Sequence, residues 1–197
     1  MNQSKGEQTR QHLIEVGAHL FHLQGYSSTG LQQILKEAGV AKGSFYFHFN
    51  DKEAFALAII DYFAGVFKQR VAQHLLNPEL SAEQKLDAFN HYTVTAFTEM
   101  NFKAGCPIGN FCQELADSSE SVAIKVGASL NGMARCFAGV IEQGKQENVF
   151  SNDLDAEDCA NFIVDSWEGA VLRMKAQRSA EPLHNWLSFI KRLLKPS

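Results

Sequence analysis

Two stretches of this sequence hold residue types that could do chemistry. The first, Lys42-Gly43-Ser44-Phe45-Tyr46-Phe47-His48, follows the tight break Ala38-Gly39-Val40. It sets a cation, hydroxyls and an imidazole among aromatic rings, a set suited to phosphate and base edges. The second is Gly105-Cys106-Pro107, where proline suits the first position of a helix. A thiol at that point faces unpaired backbone N–H groups and the positive end of the dipole, which stabilise a thiolate. Thiolates are what electrophiles and oxidants attack. Cysteine is also often inert packing, so both readings of Cys106 stand. Cys112, Cys136 and Cys159 are read as packing alone.

Other chemistries find no support. The sequence contains no HExxH, P-loop, GxGxxG or CxxC, and no ordered Ser, His and Asp set. His12, His19 and His22 share the first helical segment without a matching carboxylate or cysteine, so a solvated face is expected there. No metal, cofactor or enzymatic activity is expected. The net charge of −4 argues mildly against a polyanion partner, so any such partner must be recognised by a local motif. No apolar run is long enough to span a bilayer, and the N-terminus lacks the apolar core of a signal peptide. The expectation is a cytoplasmic protein with reduced thiols.

The elements that must position these residues are all helices. Of 197 residues 45% are hydrophobic and 20% charged, with only four prolines to interrupt helix. Leu13, Val16, Gly17, Leu20 and Phe21 recur at helical steps over 7–23, and Gly25 suits a left-handed stop. Short helices are expected at 31–38 and from 42 to about 48. Asn50 and Glu53 read as a capping box opening a helix that runs to about 76, and Ser81 with Gln84 as another. Segments near 107–117, 119–147, 156–177 and 182–194 bring the total to about nine helices. The fold expected is all-α. A three-helix domain over 1–50 precedes a larger helical domain over 51–197, and the helix over 51–76 bridges them.

Helices 31–38 and 42–48, joined through Ala38-Gly39-Val40, make a helix-turn-helix. Val40 and Phe45 would pin the pair and Phe49 would join the core, leaving the second helix free to enter a major groove. The run Ala38-Gly39-Val40-x-Lys42-Gly43-Ser44-Phe45-Tyr46-x-His48-Phe49-x-x-Lys52-Glu53 resembles the signature of the TetR family of one-component repressors. The resemblance implies that Lys42, Tyr46, His48 and Lys52 grip phosphates and that Gly43 allows close approach. It implies base or thymine-methyl contact by Ser44 and Phe47. The family commonly opens the first of these helices with threonine. Here Gly30 stands there, which leaves Thr29 or Ser28 to substitute.

The resemblance also implies a homodimer on a palindromic double-stranded operator, paired through the last two helices, and a small-molecule effector, still unidentified. Among aromatic residues at helical spacing, Phe63, Phe67, Tyr92, Phe111 and Trp167 are candidates to line an effector cavity, with ordinary core packing as the other reading. The stretch from Gly105 to Asp117 looks like one found in an electrophile- and oxidant-responsive branch, with Lys175 or Arg173 as a cation able to lower the Cys106 pKa. The function expected is ligand- or thiol-responsive repression. The alternative is a thiol-dependent enzyme or carrier on the same scaffold.

Overall fold

A computed structural model describes residues 4–196, and among them every regular element is helical. The order is α1 (Lys5–Gln24), α2 (Leu31–Ala38), α3 (Lys42–His48), α4 (Lys52–His74), α5 (Ala82–Glu99), α6 (Pro107–Leu115), α7 (Glu120–Gln146), α8 (Ala156–Gln177) and α9 (Glu181–Leu194). The all-α expectation and its count of about nine agree with this order.

Each boundary has a local cause. Ser4 and Glu7 close a reciprocal capping box at the start of α1, and Ser81 with Gln84 does the same for α5. Gly39, at φ 63°, takes the left-handed conformation that ends α2, and the Val40 N–H returns to the Leu35 carbonyl at 3.0 Å. Asp155 accepts the Glu157 and Asp158 N–H groups to open α8. The cap of α4 differs from the expectation. Asp51 accepts the Ala54 N–H at 2.7 Å, so the chain enters helix one residue later than an Asn50 cap requires. Glu53 is thereby freed to accept the Ser119 hydroxyl at 2.6 Å.

The chain packs as two compact units. The first joins the helices up to Val66 with Pro107–Val126; the second joins Phe67–Cys106 with the chain from Gly127 onward. In the first unit α1 buries Leu13, Ile14, Gly17, Ala18, Leu20 and Phe21 on one face. Each large apolar side chain so buried contributes about 1.5–3 kcal/mol. Gly17 meets α4 closely, since a methyl there would run into the Phe55 ring and Ile59. Phe45, Phe49 and Phe55 pack ring on ring within 5.4 Å, and Phe21 joins at 5.9 Å, which ties α3 down to α1 and α4.

In the second unit Phe89 of α5 meets Phe137, Trp167 and Trp186 at 5.0, 5.9 and 6.3 Å between ring centroids. α8 and α9 pack on each other, and α5 packs on α9. The Trp186 indole N–H finds the Ser166 hydroxyl at 3.0 Å. Leu183, Trp186, Ile190 and Leu194 of α9 face inward. Phe189 and Leu193 do not: they are half to two-fifths exposed, and Phe162 and Leu172 of α8 are exposed likewise. No helix among the described residues is long and apolar enough to cross a membrane.

Candidate nucleic-acid interface

α3 divides cleanly between inside and outside. Phe45 is wholly buried and Phe49, just past the helix end, nearly so, while Phe47 keeps 82% of its surface exposed. Lys42, Gly43 and Tyr46 are exposed beside it, and Ser44 and His48 are half-buried. The Lys42 ammonium lies 5.9 Å from the Tyr46 ring centroid, one helical turn along, and the Phe47 ring meets His48 edge-on at 5.0 Å. One face therefore presents a cation, a phenol and a bare aromatic ring around an exposed Gly43 backbone. Nothing within 4 Å would meet a side chain added at Gly43, so the surrounding space is open. An 82% exposed phenylalanine on a rigid two-turn helix has no packing purpose within the chain.

Two of the predicted DNA-contacting residues are turned inward. Thr29 is fully buried, and its hydroxyl donates to the Gly25 carbonyl at 2.7 Å. It staples the turn before α2 and offers no hydroxyl to a phosphate. Ser28, in contrast, is exposed. Lys52 donates to the Tyr26 carbonyl at 2.6 Å and lies 4.0 Å from the centroid of the Tyr26 ring. Partial burial pulls its pKa down, against the raising influence of Glu114. Its charge holds the α1–α2 turn together.

The sequence reading missed Glu114 of α6. One of its carboxylate oxygens accepts the Tyr26 N–H at 2.9 Å and the other accepts the Ser27 N–H at 2.8 Å. Gly25, at φ 88°, leaves room for that carboxylate, since a Cβ there would lie 2.8 Å from Oε1. Only that glycine, already read as a turn, hinted at a close neighbour.

The residues expected around an effector divide between the units. Phe111 is buried against Phe21 at 6.0 Å and belongs to the first unit, where its role is core packing. Phe63 is half-buried beside His22 in the same unit. Phe67, Tyr92, Trp167 and Lys175 lie in the second unit. Tyr92 is engaged by the Arg70 guanidinium and stacks near His74 at 5.0 Å. Two of the three histidines of α1 have partners: His12 lies 3.2 Å from the Ala38 carbonyl and His22 packs on Phe63, while His19 is exposed. Among the described residues no group of His, Cys, Asp and Glu could hold a metal ion.

Trp167 is nearly buried between Phe89 and Phe97, yet its indole N–H has no hydrogen-bond partner. The same holds for Asn90 Oδ1 on α5 and Glu168 Oε1 on α8. Buried polar atoms ordinarily find partners, so these three unmet groups on α5 and α8 are exceptions among the described residues. Cys106 is buried directly before α6, and the side chain that hydrogen-bonds it is the Glu168 carboxyl. The sequence reading expected a cation, Lys175 or Arg173, in that role. Lys175 lies seven residues further along α8, about 10 Å by helical rise. Burial raises the Glu168 pKa, while the bond to Cys106 lowers it less.

A carboxyl with a raised native pKa keeps its proton when the unfolded chain has lost its own. Its stabilising contribution is whole below the ordinary carboxyl range and is lost as pH rises through the native value. Glu168→Gln is therefore expected to raise the thermal midpoint at neutral pH, by about 0.5–2 kcal/mol of stability. The gain should vanish in acid, and unfolding curves at both pH values would measure it.

Comparison with known proteins agrees with this geometry. The family described as "Bacterial regulatory proteins, tetR family" matches residues 13–59, and "Tetracyclin repressor-like, C-terminal domain" matches residues 82–190. The chain is 34% identical to the transcriptional repressor DhaR of Mycobacterium sp. (strain GP1), over 95% of this chain and 93% of that one. It is 29% identical to the transcriptional repressor NemR of Escherichia coli (strain K12), over 98% of each. Among solved structures, a regulatory protein TetR from Rhodobacter sphaeroides superposes with a TM-score of 0.88 at 30% identity, covering 93% of this chain and 97% of that one. The reduced form of E. coli NemR superposes with a TM-score of 0.88 at 29% identity, covering 96% and 99%. These relatives are regulators of transcription, and this chain belongs to the TetR family of bacterial transcriptional regulators.

Proposed function

We propose that the protein is a repressor that binds a palindromic operator as a cytoplasmic homodimer and releases it in response to an effector. In this reading residues 1–50 bind DNA and residues 51–197 take the effector and form the dimer, with the helix over 51–76 shared. The observation that carries it is the outward face of α3: Lys42, Tyr46 and Phe47 project while Phe45 and Phe49 anchor. Lys42 and Tyr46 contact phosphates and fix register; Phe47 and Ser44 read base edges or thymine methyls. DhaR and NemR, named as repressors, support the direction of regulation.

Selection of genomic fragments by the purified protein at physiological salt tests this reading. It should enrich a few sites, each with two-fold-related half-sites about one helical turn apart. Even recovery of unrelated DNA would overturn it.

The effector site in this reading lies around Trp167, and the unmet polar atoms of Asn90, Trp167 and Glu168 support it. Cys106 adds a covalent input, supported by its place before α6 and its bond to Glu168. Alkylation by iodoacetamide forms an S–C bond as the C–I bond breaks and iodide leaves, with the thiol proton lost to water. Cys106→Ser is expected to bind operator as the parent does and to lose release by iodoacetamide. Release unchanged in that variant would refute the thiol input.

A further inference from the structure

We propose that Glu114 is a positioning residue for operator recognition: its carboxylate latches the α1–α2 turn and so fixes where α2 and α3 stand. The inference rests on the DNA-binding reading above and adds a mechanism to it. Both carboxylate oxygens are spent on consecutive backbone N–H groups, Tyr26 at 2.9 Å and Ser27 at 2.8 Å. Hydrogen bonds to an ionised acceptor are stronger than neutral ones and directional, so this pair fixes orientation as well as distance. The Tyr26 peptide is held from its other side too, because Lys52 donates to its carbonyl at 2.6 Å. Thr29 ties the same turn internally through the Gly25 carbonyl. Directly after Thr29 comes Gly30, which caps α2 without any side-chain hydrogen bond. The start of α2 thus has no side-chain cap of its own and takes its position from the turn before it.

α6 is in turn fastened to the helices that carry the motif. Phe111 packs edge-on to Phe21 of α1 at 6.0 Å. Beyond α6, Ser119 donates to Glu53 at 2.6 Å and Lys125 pairs with Asp61 at 2.5 Å, both on α4. Segment 107–126 therefore packs as part of the DNA-binding unit, although more than fifty residues of chain separate it from α3. α6 begins one peptide bond after Cys106. A shift of α6 directed along these bonds by a single helical rise, about 1.5 Å, is enough to pull both oxygens out of hydrogen-bond range. The latch makes the α1–α2 turn sensitive to the position of α6 through two specific bonds, beyond general packing.

The test compares the full-length protein with Glu114→Gln and Glu114→Ala, following residue-resolved amide exchange, operator affinity and thermal midpoint. The alanine variant should exchange the Tyr26 and Ser27 amides at least tenfold faster, with the α1 interior unchanged. Its operator dissociation constant should rise at least tenfold. Glutamine keeps one acceptor and should fall between, and remains informative should the alanine variant fold poorly. Affinity within twofold of the parent in both variants would overturn the latch. So would affinity lost only in step with faster exchange throughout α1 and α4, which is a purely structural role. A parent protein with no sequence preference would overturn the repressor reading itself, a result distinct from parent binding that Glu114 variants retain.

Discussion

Phe47→Ala is expected to abolish operator recognition while leaving the protein as stable as before. The ring is 82% exposed, so its loss uncovers no cavity and should change stability by under about 0.5 kcal/mol. A base-edge or thymine-methyl contact contributes about 1–3 kcal/mol of discrimination, and a dimer makes it twice. Operator affinity should therefore fall by about 30-fold to about 20,000-fold, with weak binding to unrelated DNA little changed. Lys42→Ala should behave differently, weakening all DNA by similar factors and lowering the salt slope by about one for each subunit. Titrations of both variants against operator and competitor DNA at two salt concentrations would separate the roles. Phe47→Ala weakening both DNAs equally would remove it from base reading.

The second large effect concerns assembly. Phe189→Asp combined with Leu193→Asp is expected to give a folded monomer, since both side chains are exposed on α9 while Leu183, Trp186, Ile190 and Leu194 hold its inner face. Phe162 and Leu172 of α8 add to the apolar surface that pairing would cover. Charges placed in such an interface lose hydration without gaining partners, which costs several kcal/mol. A monomer engages one half-site only and forfeits the linkage between two recognition helices. That linkage is worth about 100- to 10,000-fold in affinity. Sedimentation beside operator titration checks both parts. A dimer that survives the double substitution would place the interface elsewhere.

Much of the fold was legible in the sequence because helical periodicity and caps are local. The Ser81–Gln84 box, the Gly39 stop and the inward Phe45 and Phe49 all follow from neighbours within a turn or two. What escaped was the long-range polar pairing. Glu114 meets partners 87 and 88 residues away, and although it lies in the 105–117 stretch that resembles one family branch, no local neighbour assigns its carboxylate a role. Lys52 matched a family signature, yet its ammonium serves the Tyr26 carbonyl, which also accepts the Thr29 N–H at 3.3 Å and has a second lone pair to offer. Thr29 was expected at the surface and is interior for a similar reason: its hydroxyl satisfies the carbonyl that Gly25 leaves over at the end of α1. Near Cys106 the sequence offered cations on α8, but helical phase brings Glu168 to the thiol.

In the proposed reading the DNA-facing surface is the exposed face of α3 that carries Lys42, Tyr46 and Phe47. Thr29 and Lys52, expected to meet phosphates, bond to the turn before α2, as Glu114 does.

The most direct measurement is a hydroxyl-radical footprint of the purified protein on its selected DNA. The account predicts two protected patches related by a two-fold axis, centred about one helical turn apart, and their joint loss when α3 carries Phe47→Ala. A single unpaired patch, or protection spread evenly along the duplex, would contradict it.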